Sequence, residues 1–298
     1  MTTCDGPADA VTLAGNSVRG SLGDVVKVIT LGTGSPLPDA NRAGPATLVR
    51  AAGRDLLFDC GRGVLMRAAS VMSGPLAFDT VFLTHLHSDH VTDFNDIVTM
   101  RWAISAAPNP LRVVGPVGAQ RLAERTIEML RDDISYRIAH HDDLNWEPTC
   151  DVTEVHDGLV IDDGKLRITT APTDHAPARP SVGYRIEADG KAVVIAGDTV
   201  PCDGLDRLCA GADVYVQTVI RRSLVEAIPA PRLQDIIDYH SSIQDAAATA
   251  TRAAVGTLVM THPVPPPWPG TEAEWVAEAA EGFAGNIVLA HDLWEQEL

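Results

Sequence analysis

The sequence is short of cysteine and of basic residues, and each shortage restricts the sites and partners it can have. Its five cysteines are an odd number with irregular spacing and no C-x-x-C pair. We therefore expect neither a disulfide framework nor a thiolate zinc site, and a reducing cytoplasm is favoured. The 23 Lys and Arg residues face 40 Asp and Glu residues, giving a net charge of −17. Because such a surface repels phosphate backbones, the charge disfavours RNA or DNA as the partner.

Long apolar runs are also missing. No stretch of about eighteen apolar residues occurs, and the first ten residues carry neither a basic region nor a long apolar run. We therefore expect no membrane partner and no secretory signal. The hydrophobic content of 45% is nevertheless sufficient for the core of a large soluble domain.

Strand and helix patterns alternate along most of the chain. After a polar, glycine-rich lead over residues 1–24, groups of short apolar strands are separated by helical segments over residues 25–298. This order predicts an α/β fold with a single domain over 25–298. Two packed β-sheets with outer helices would form a four-layer αβ/βα sandwich. Residues 131–160 are acidic and irregular in pattern, and we expect them to form a loop region or a lid.

A dense group of metal-binding side chains follows an apolar strand at Thr84-His85-Leu86-His87-Ser88-Asp89-His90. Side chains two residues apart in an extended segment point the same way, so His85 and His87 can share one metal. Asp89 and His90 follow on the turn and can hold a second metal. Nitrogen and oxygen ligands together suit zinc best, with manganese or iron as alternatives. A polar loop that merely contains histidines is disfavoured, because groups this dense repel one another unless a cation or carboxylate gathers them.

Three later residues stand at the carboxyl ends of apolar strands, as the histidine run does: His175, Asp198 and His262. Taken singly, each could be an ordinary surface residue. Taken with the histidine run, they are candidates for the remaining ligands of a two-metal site, because strand-end loops are where rigid scaffolds place ligands.

His240 allows two interpretations. It precedes Ser241-Ser242, which can cap a helix predicted over residues 243–255. It is therefore either a neighbour of the cap or a proton donor to a leaving group.

Seven motifs together resemble the ribonuclease Z branch of the metallo-β-lactamase superfamily, which also holds arylsulfatase-like hydrolases. The order matches, and the resemblance runs from residue 25 to residue 290. The motifs are Leu31–Pro36, Asp59–Gly61, Thr84–His90, His175 with Gly183-Tyr184 after it, Gly197–Thr199, His240-Ser241 and Thr261-His262.

The resemblance implies a ligand set and two catalytic roles. By resemblance, the ligands of the first metal are His85, His87 and His175. By resemblance, the ligands of the second metal are Asp89, His90 and His262. Asp198 would bridge both metals, Asp89 would also accept a proton, and His240 would assist the leaving group.

Three positions depart from the pattern of that branch. The interval between His175 and Asp198 holds only two strands and a turn, so it lacks the arm with which ribonuclease Z enzymes grip RNA. Gln217 stands on a strand where the branch often has a carboxylate. Arg62 replaces a usual Glu and resembles the arylsulfatase-like members. It is either a surface arginine at a helix start or a fork that binds sulfate, phosphate or carboxylate.

The leading hypothesis is a binuclear metal-dependent hydrolase that cleaves phosphodiesters, with tRNA 3′ processing as the function implied by resemblance. The alternatives are an arylsulfatase-like sulfate-ester hydrolase, a carboxylic ester or lactone hydrolase, and a non-catalytic metal-binding module. We expect a small anionic ester rather than RNA as the substrate, and a homodimer by analogy with relatives.

Overall fold

The structure is a computed structural model, and it describes residues 25–298. The predicted lead over residues 1–24 lies outside the described residues. None of the helices in the described part of the chain is long and apolar enough to cross a membrane.

The first sheet has seven strands, which are β1 (Lys27–Gly32), β2 (Ala46–Ala51), β3 (Arg54–Phe58), β4 (Phe78–Phe82), β5 (Leu111–Gly115), β6 (Cys150–Glu154) and β14 (Trp294–Glu297). Their order across the sheet is β14-β1-β2-β3-β4-β5-β6. The pairs from β3 to β6 are parallel and the pairs from β14 to β3 are antiparallel.

The second sheet also has seven strands, which are β7 (Gly158–Asp162), β8 (Leu166–Pro172), β9 (Val182–Ala188), β10 (Lys191–Ile195), β11 (Val214–Ile220), β12 (Thr257–Val264) and β13 (Asn286–Leu289). Their order is β13-β12-β11-β10-β9-β8-β7. Strands β10 to β13 are parallel, and β9 is antiparallel to both β8 and β10. The carboxyl ends of β8, β10, β11 and β12 therefore lie at the same edge.

Helices cover the outer face of each sheet. The helices are α1 (Val64–Ser70), α2 (Ser88–Val91), α3 (Phe94–Ala103), α4 (Ala119–Met129), α5 (Arg131–His140), α6 (Asp203–Cys209), α7 (Arg222–Glu226), α8 (Pro231–Gln234), α9 (Ile243–Arg252) and α10 (Glu272–Ala280), with a 3-10 helix at Asp235–Asp238. Helices α1, α3 and α4 pack on the first sheet, and α6, α9 and α10 pack on the second.

Alternation of side chains along the strands builds three separate apolar layers. In β10, for example, Val193 and Ile195 face the core between the sheets, whereas Val194 faces the core under the helices. In β3 likewise, Leu57 packs in the core under the helices and Phe58 packs in the core between the sheets. These layers confirm the predicted four-layer αβ/βα sandwich. A single domain over 25–298 stays our proposal, supported by the core that both sheets share.

The expectation for residues 131–160 is wrong. The segment contains helix α5 and strands β6 and β7, and these strands are the outer edges of the two sheets. Their patterns are polar because edge strands are half-solvated, so β6 and β7 have mostly exposed or partly exposed side chains. Helix α5 packs through Ile134 against Trp102. Within the described residues, the hydrogen bonds and ring contacts of the candidate site histidines involve no residue of this segment.

Tyr184 joins the two sheets directly beneath the histidine run. Its ring packs against Phe58 and Phe82, with ring centroids 5.6 and 5.3 Å away. Its hydroxyl donates a hydrogen bond of 2.8 Å to the carbonyl of Leu83. Burial raises the pKa of Tyr184 well above its usual value, so the phenol stays protonated and remains a donor. A nearby backbone hydrogen bond of 2.9 Å from Val182 to the carbonyl of Thr84 makes a second link.

Removing this hydroxyl should destabilise the whole sandwich. Tyr184→Phe leaves the buried Leu83 carbonyl without its donor, so we expect a loss of about 1–3 kcal/mol in the free energy of unfolding, measured by urea denaturation. Tyr136→Phe is the matched control, because Tyr136 is 69% exposed. Equal unfolding midpoints for the two variants would contradict a role of this bond in joining the sheets.

Candidate metal centre

The predicted ligands all come from the edge where the carboxyl ends of strands from both sheets meet. The histidine run follows β4 of the first sheet, and its Asp89 and His90 lie in the short helix α2. From the second sheet, His175 follows β8, Asp198 follows β10, and His262 lies near the end of β12. Because the fold places these strand ends face to face, residues far apart in sequence reach one cavity.

The structure brings the predicted residues into two groups of potential ligands. In the first group, one ligand atom from each of His85, His87, His175 and Asp198 lies within 4.8 Å of the others. The second group meets the same distance limit and contains Asp89, His90 and His262. Within these groups only His87 is exposed, so its side forms the open face of the site.

Asp198 lies between the two groups. Its Oδ2 atom is 3.2–4.0 Å from the Nε2 atoms of five histidines, which are His85, His90, His175, His240 and His262. This position is the one that a carboxylate bridging two cations would occupy. Burial raises the pKa of Asp198, but the charges of His262 and His90 and the hydrogen bond from His240 outweigh it. The pKa therefore lies well below its usual value.

Unsatisfied buried atoms show that this cluster fits metal ions. Among residues 25–298, the atoms His85 Nε2, His90 Nε2 and Asp198 Oδ1 are buried without a hydrogen-bond partner. Buried polar atoms are normally paired, so such a concentration at one point calls for a ligand. Burial and neighbouring histidines lower the pKa of His85 well below its usual value, which keeps its lone pair available to a cation. The cluster therefore has the donor chemistry of a divalent metal site.

A carboxylate behind the cluster orients ligands of both groups. Asp59 Oδ2 lies 2.8 Å from His90 Nδ1 and accepts a 2.8 Å hydrogen bond from the Thr84 hydroxyl. The same hydroxyl lies 3.0 Å from His85 Nδ1, and Asp59 Oδ1 accepts a hydrogen bond from the Thr84 backbone amide. One buried carboxylate thus fixes the ring orientation of His85 and His90 together. The motif containing Asp59 was recognised in the sequence, but no role was predicted for Asp59 or Thr84.

Backbone carbonyls orient two further histidines. His175 Nδ1 lies 2.8 Å from the carbonyl of Tyr239, and His240 Nδ1 lies 3.0 Å from that of Ile236. His240 Nε2 points into the cluster, 3.2 Å from Asp198 Oδ2. Burial lowers the pKa of His240, but the hydrogen bond and charge of Asp198 prevail and raise it.

The missing carboxylate at position 217 does not leave His240 without support. Gln217 accepts a 2.5 Å hydrogen bond from the hydroxyl of Tyr215 and donates one of 2.7 Å to the carbonyl of Thr218. It is fully buried. The side-chain amide of Gln217 therefore bonds to other residues of β11, and it is the carbonyl of Ile236 that orients His240. The predicted cap also exists, because Ser242 and Asp245 form a reciprocal capping box at the start of α9.

Two backbone positions are shaped by the close approach of the strands. Gly197 has φ of 67°, and a Cβ there would stand 2.6 Å from Thr84 Cβ, so only glycine fits. His262 has φ of 52°, an uncommon conformation for a residue with a side chain. Such strain concentrates at functional sites, where the surrounding structure fixes it. Its backbone amide donates a 3.2 Å hydrogen bond to the carbonyl of Thr33, in the motif Leu31–Pro36.

Arg62 lies on the surface beside the centre rather than in it. Its side chain is exposed and, within the described residues, forms no hydrogen bond or ion pair. The preceding Gly61 contacts the ligand segment, because a Cβ on Gly61 would stand 2.5 Å from the carbonyl oxygen of Asp89. The structure is thus compatible with either interpretation of Arg62.

Comparison with known proteins identifies the family. The Beta-lactamase superfamily domain matches residues 54–263. The chain is 55% identical to a ribonuclease Z from Mycobacterium avium (strain 104) over 271 residues, which cover 90% of this chain and 97% of that protein. The chain belongs to the ribonuclease Z family. Like other members of that family, it is a metal-dependent hydrolase that acts on phosphodiester bonds.

Solved structures with lower sequence identity share the fold. The metallo-beta-lactamase fold protein YhfI from Bacillus subtilis matches with a TM-score of 0.72 and 21% identity, covering 93% of this chain and 100% of that one. The short form of human tRNase Z matches with a TM-score of 0.68 and 23% identity, covering 91% of this chain and 98% of that one.

The comparisons do not support a small anionic ester as the expected substrate. The ribonuclease Z from Mycobacterium avium is covered over 97% of its length, which leaves little room in it for an additional RNA-gripping arm. A short interval between His175 and Asp198 is therefore compatible with membership of the ribonuclease Z family.

Asp59 provides a test of how the centre is supported. Asp59→Asn keeps the size of the side chain but removes the charge that orients His85 and His90, so we expect metal affinity to fall about 10–100-fold. The measurement is metal content after dialysis against a graded series of chelator concentrations. Asp79→Asn is the control, because Asp79 lies on β4 near the opposite end of the strand from the histidine run. Unchanged metal retention in Asp59→Asn would exclude this supporting role.

Proposed function

We propose that the protein is an endonuclease that removes 3′ extensions from precursor tRNA at a binuclear zinc site. The observation that carries the proposed site is the position of Asp198, whose Oδ2 atom lies within 4.0 Å of five histidine nitrogens. The tRNA substrate is supported by 55% identity to a ribonuclease Z over nearly the full length of both proteins. Zinc is favoured over manganese or iron because imidazole nitrogen predominates among the ligands.

In this proposal each of the two groups of ligands would hold one cation. The residues that would hold the first cation are His85, His87 and His175, and those that would hold the second are Asp89, His90 and His262, with Asp198 available to both. When bound, the two cations supply charge that stabilises the phosphoryl oxygens and lowers the pKa of a water molecule.

The protein side chains then handle the protons. Asp89 accepts the proton of the attacking water. Burial raises the pKa of Asp89, but the hydrogen bond from His262 and the charge of His90 lower it below its usual value, so the group is an ionised acceptor. His240, held by the Ile236 carbonyl with Nε2 facing the cluster, donates a proton to the leaving oxygen. Arg62 contributes a guanidinium beside the centre for a phosphate of the substrate.

Two further expectations from the sequence stay predictions. Cytoplasmic location agrees with the described cysteines, which are all free thiols. Burial raises the pKa of Cys60 well above its usual value and that of Cys150 to about 12, so these thiols are unreactive. Assembly as a homodimer rests on analogy with relatives.

Replacing the shared carboxylate should disable the whole centre. Asp198→Asn removes a ligand of both cations, so we expect at least one metal per chain to be lost and hydrolysis of bis-p-nitrophenyl phosphate to disappear. Metal content and turnover are measured on the same sample. The control is Asp213→Asn, a partly exposed carboxylate that pairs with Lys191. Full activity with two metals retained in Asp198→Asn would exclude the assigned site.

His240 can be distinguished from a metal ligand by its dependence on the leaving group. In His240→Ala we expect kcat for precursor tRNA to fall about 10²–10⁴-fold, the usual contribution of a positioned acid, with two metals retained. Turnover of bis-p-nitrophenyl phosphate should fall much less, because p-nitrophenolate leaves without needing a proton. Equal losses on both substrates, or loss of metal, would contradict the role of proton donor.

A further inference from the structure

Most basic side chains of this acidic protein are already neutralised by carboxylates or used in internal hydrogen bonds. For example, the side chain of Arg221 forms ion pairs with Glu274 and Glu278, and that of Arg222 forms one with Glu226. Within residues 25–298, the basic side chains with no ion pair or hydrogen bond are Arg62, Arg121, Arg125, Lys165 and Arg232. All five residues are exposed. Their distribution over the fold is therefore the distribution of free positive charge.

Arg121 lies beside the histidine run. A Cβ on Gly118 would stand 3.7 Å from Arg121 Nη2 and 2.9 Å from Leu86 Cδ1, so both side chains lie next to Gly118. Leu86 stands between the candidate ligands His85 and His87, so this guanidinium lies next to the segment that carries them. Glu154 on strand β6 does not pair with Arg121, and its Oε1 accepts hydrogen bonds from the backbone amides of Gly118 and Gln120.

Arg125 extends the charge along the same helix. It stands four residues after Arg121 in α4, and residues at this spacing share one helix face. Both side chains are exposed, whereas Ala119, Ala123 and Thr126 are the buried residues of α4. The free face of α4 therefore carries two unpaired guanidinium groups that lead away from the centre.

The other two arginines belong to segments that support the centre from other sides. Arg62 follows Gly61, which contacts the backbone of Asp89. Arg232 lies in α8, immediately before the 3-10 helix whose Ile236 carbonyl orients His240. Lys165 alone is remote, because it precedes β8 and His175 follows the opposite end of that strand.

We propose that Arg62, Arg121, Arg125 and Arg232 form a basic rim around the metal centre that binds the phosphate backbone of an RNA. This inference rests on the proposed function, since it concerns how the tRNA reaches the same site. Charges more than about 8 Å away are largely screened at physiological ionic strength. Four free guanidinium groups near the cleft can therefore attract a polyanion although the whole chain has a net charge of −17.

The experiment measures binding of fluorescein-labelled mature tRNA, which carries no extension to be cleaved. The affinity of the metal-loaded full-length protein is determined by fluorescence anisotropy at several KCl concentrations. Each phosphate contact contributes about one unit to the slope of log Kd against log salt. We expect the slope to fall by about one to two units in Arg121→Ala/Arg125→Ala. Alanine suits an exposed helical position, so α4 should remain folded.

Lys165→Ala is the matched control, because it removes an equally exposed and unpaired charge at the far end of the sheet. We expect its slope and affinity to equal those of the wild type. The proposal is overturned if the double variant keeps the wild-type slope and affinity, if Lys165→Ala weakens binding as much, or if the wild type does not bind tRNA.

Parallel cleavage assays separate this inference from the proposed function. A wild type that binds tRNA through the rim but cleaves neither precursor tRNA nor bis-p-nitrophenyl phosphate would reject the proposed function and leave the rim in place. A wild type that cleaves precursor tRNA while the double variant binds and cleaves equally well would reject the rim alone. If the double variant loses small-diester turnover as strongly as tRNA binding, the arginines serve the centre itself and the rim is again rejected.

Discussion

The convergence of five imidazoles on the carboxylate of Asp198 is the constraint on which the rest of the structure depends. These histidines come from both sheets, so the cluster forms only when the strand ends of the two sheets face each other. Burying so many polar groups without full hydrogen bonding is unfavourable. The four-layer core provides a scaffold rigid enough to hold them, and cations in the cluster would offset the cost that the unpaired atoms impose.

The ligand residues could be predicted from the sequence because they obey one local rule. Each is a polar residue at the end of an apolar strand, and the histidine run alone contains four of them. The supporting residues obey no such rule. Asp59 follows β3 and orients His85 through Thr84, a contact between β3 and the end of β4 that depends on strand pairing. Sequence spacing does not show which strands pair, so the role of Asp59 could not be predicted.

The edges of the sheets were harder to predict than their centres. Central strands are buried on both faces and have continuous apolar patterns, so the sequence indicates where they lie. Edge strands have one or both faces in water. Strand β14 consists of Trp294-Glu-Gln-Glu297 and pairs with β1, where Lys27 binds Glu295 and Glu297. Its polar sequence contains no apolar alternation, so β14, like β6 and β7, cannot be recognised as a strand from the sequence.

The net charge of a folded chain says little about its partner, because it counts charges that the fold has already paired. Most arginines in the described residues are neutralised by carboxylates or used in internal hydrogen bonds. A polyanion is attracted by the electric field within a few ångströms of where it binds. That field depends on the unpaired cations there. Four of the five unpaired cations lie on segments that border the metal centre. An acidic chain can therefore present a locally basic cleft, and pairing rather than composition decides what the cleft attracts.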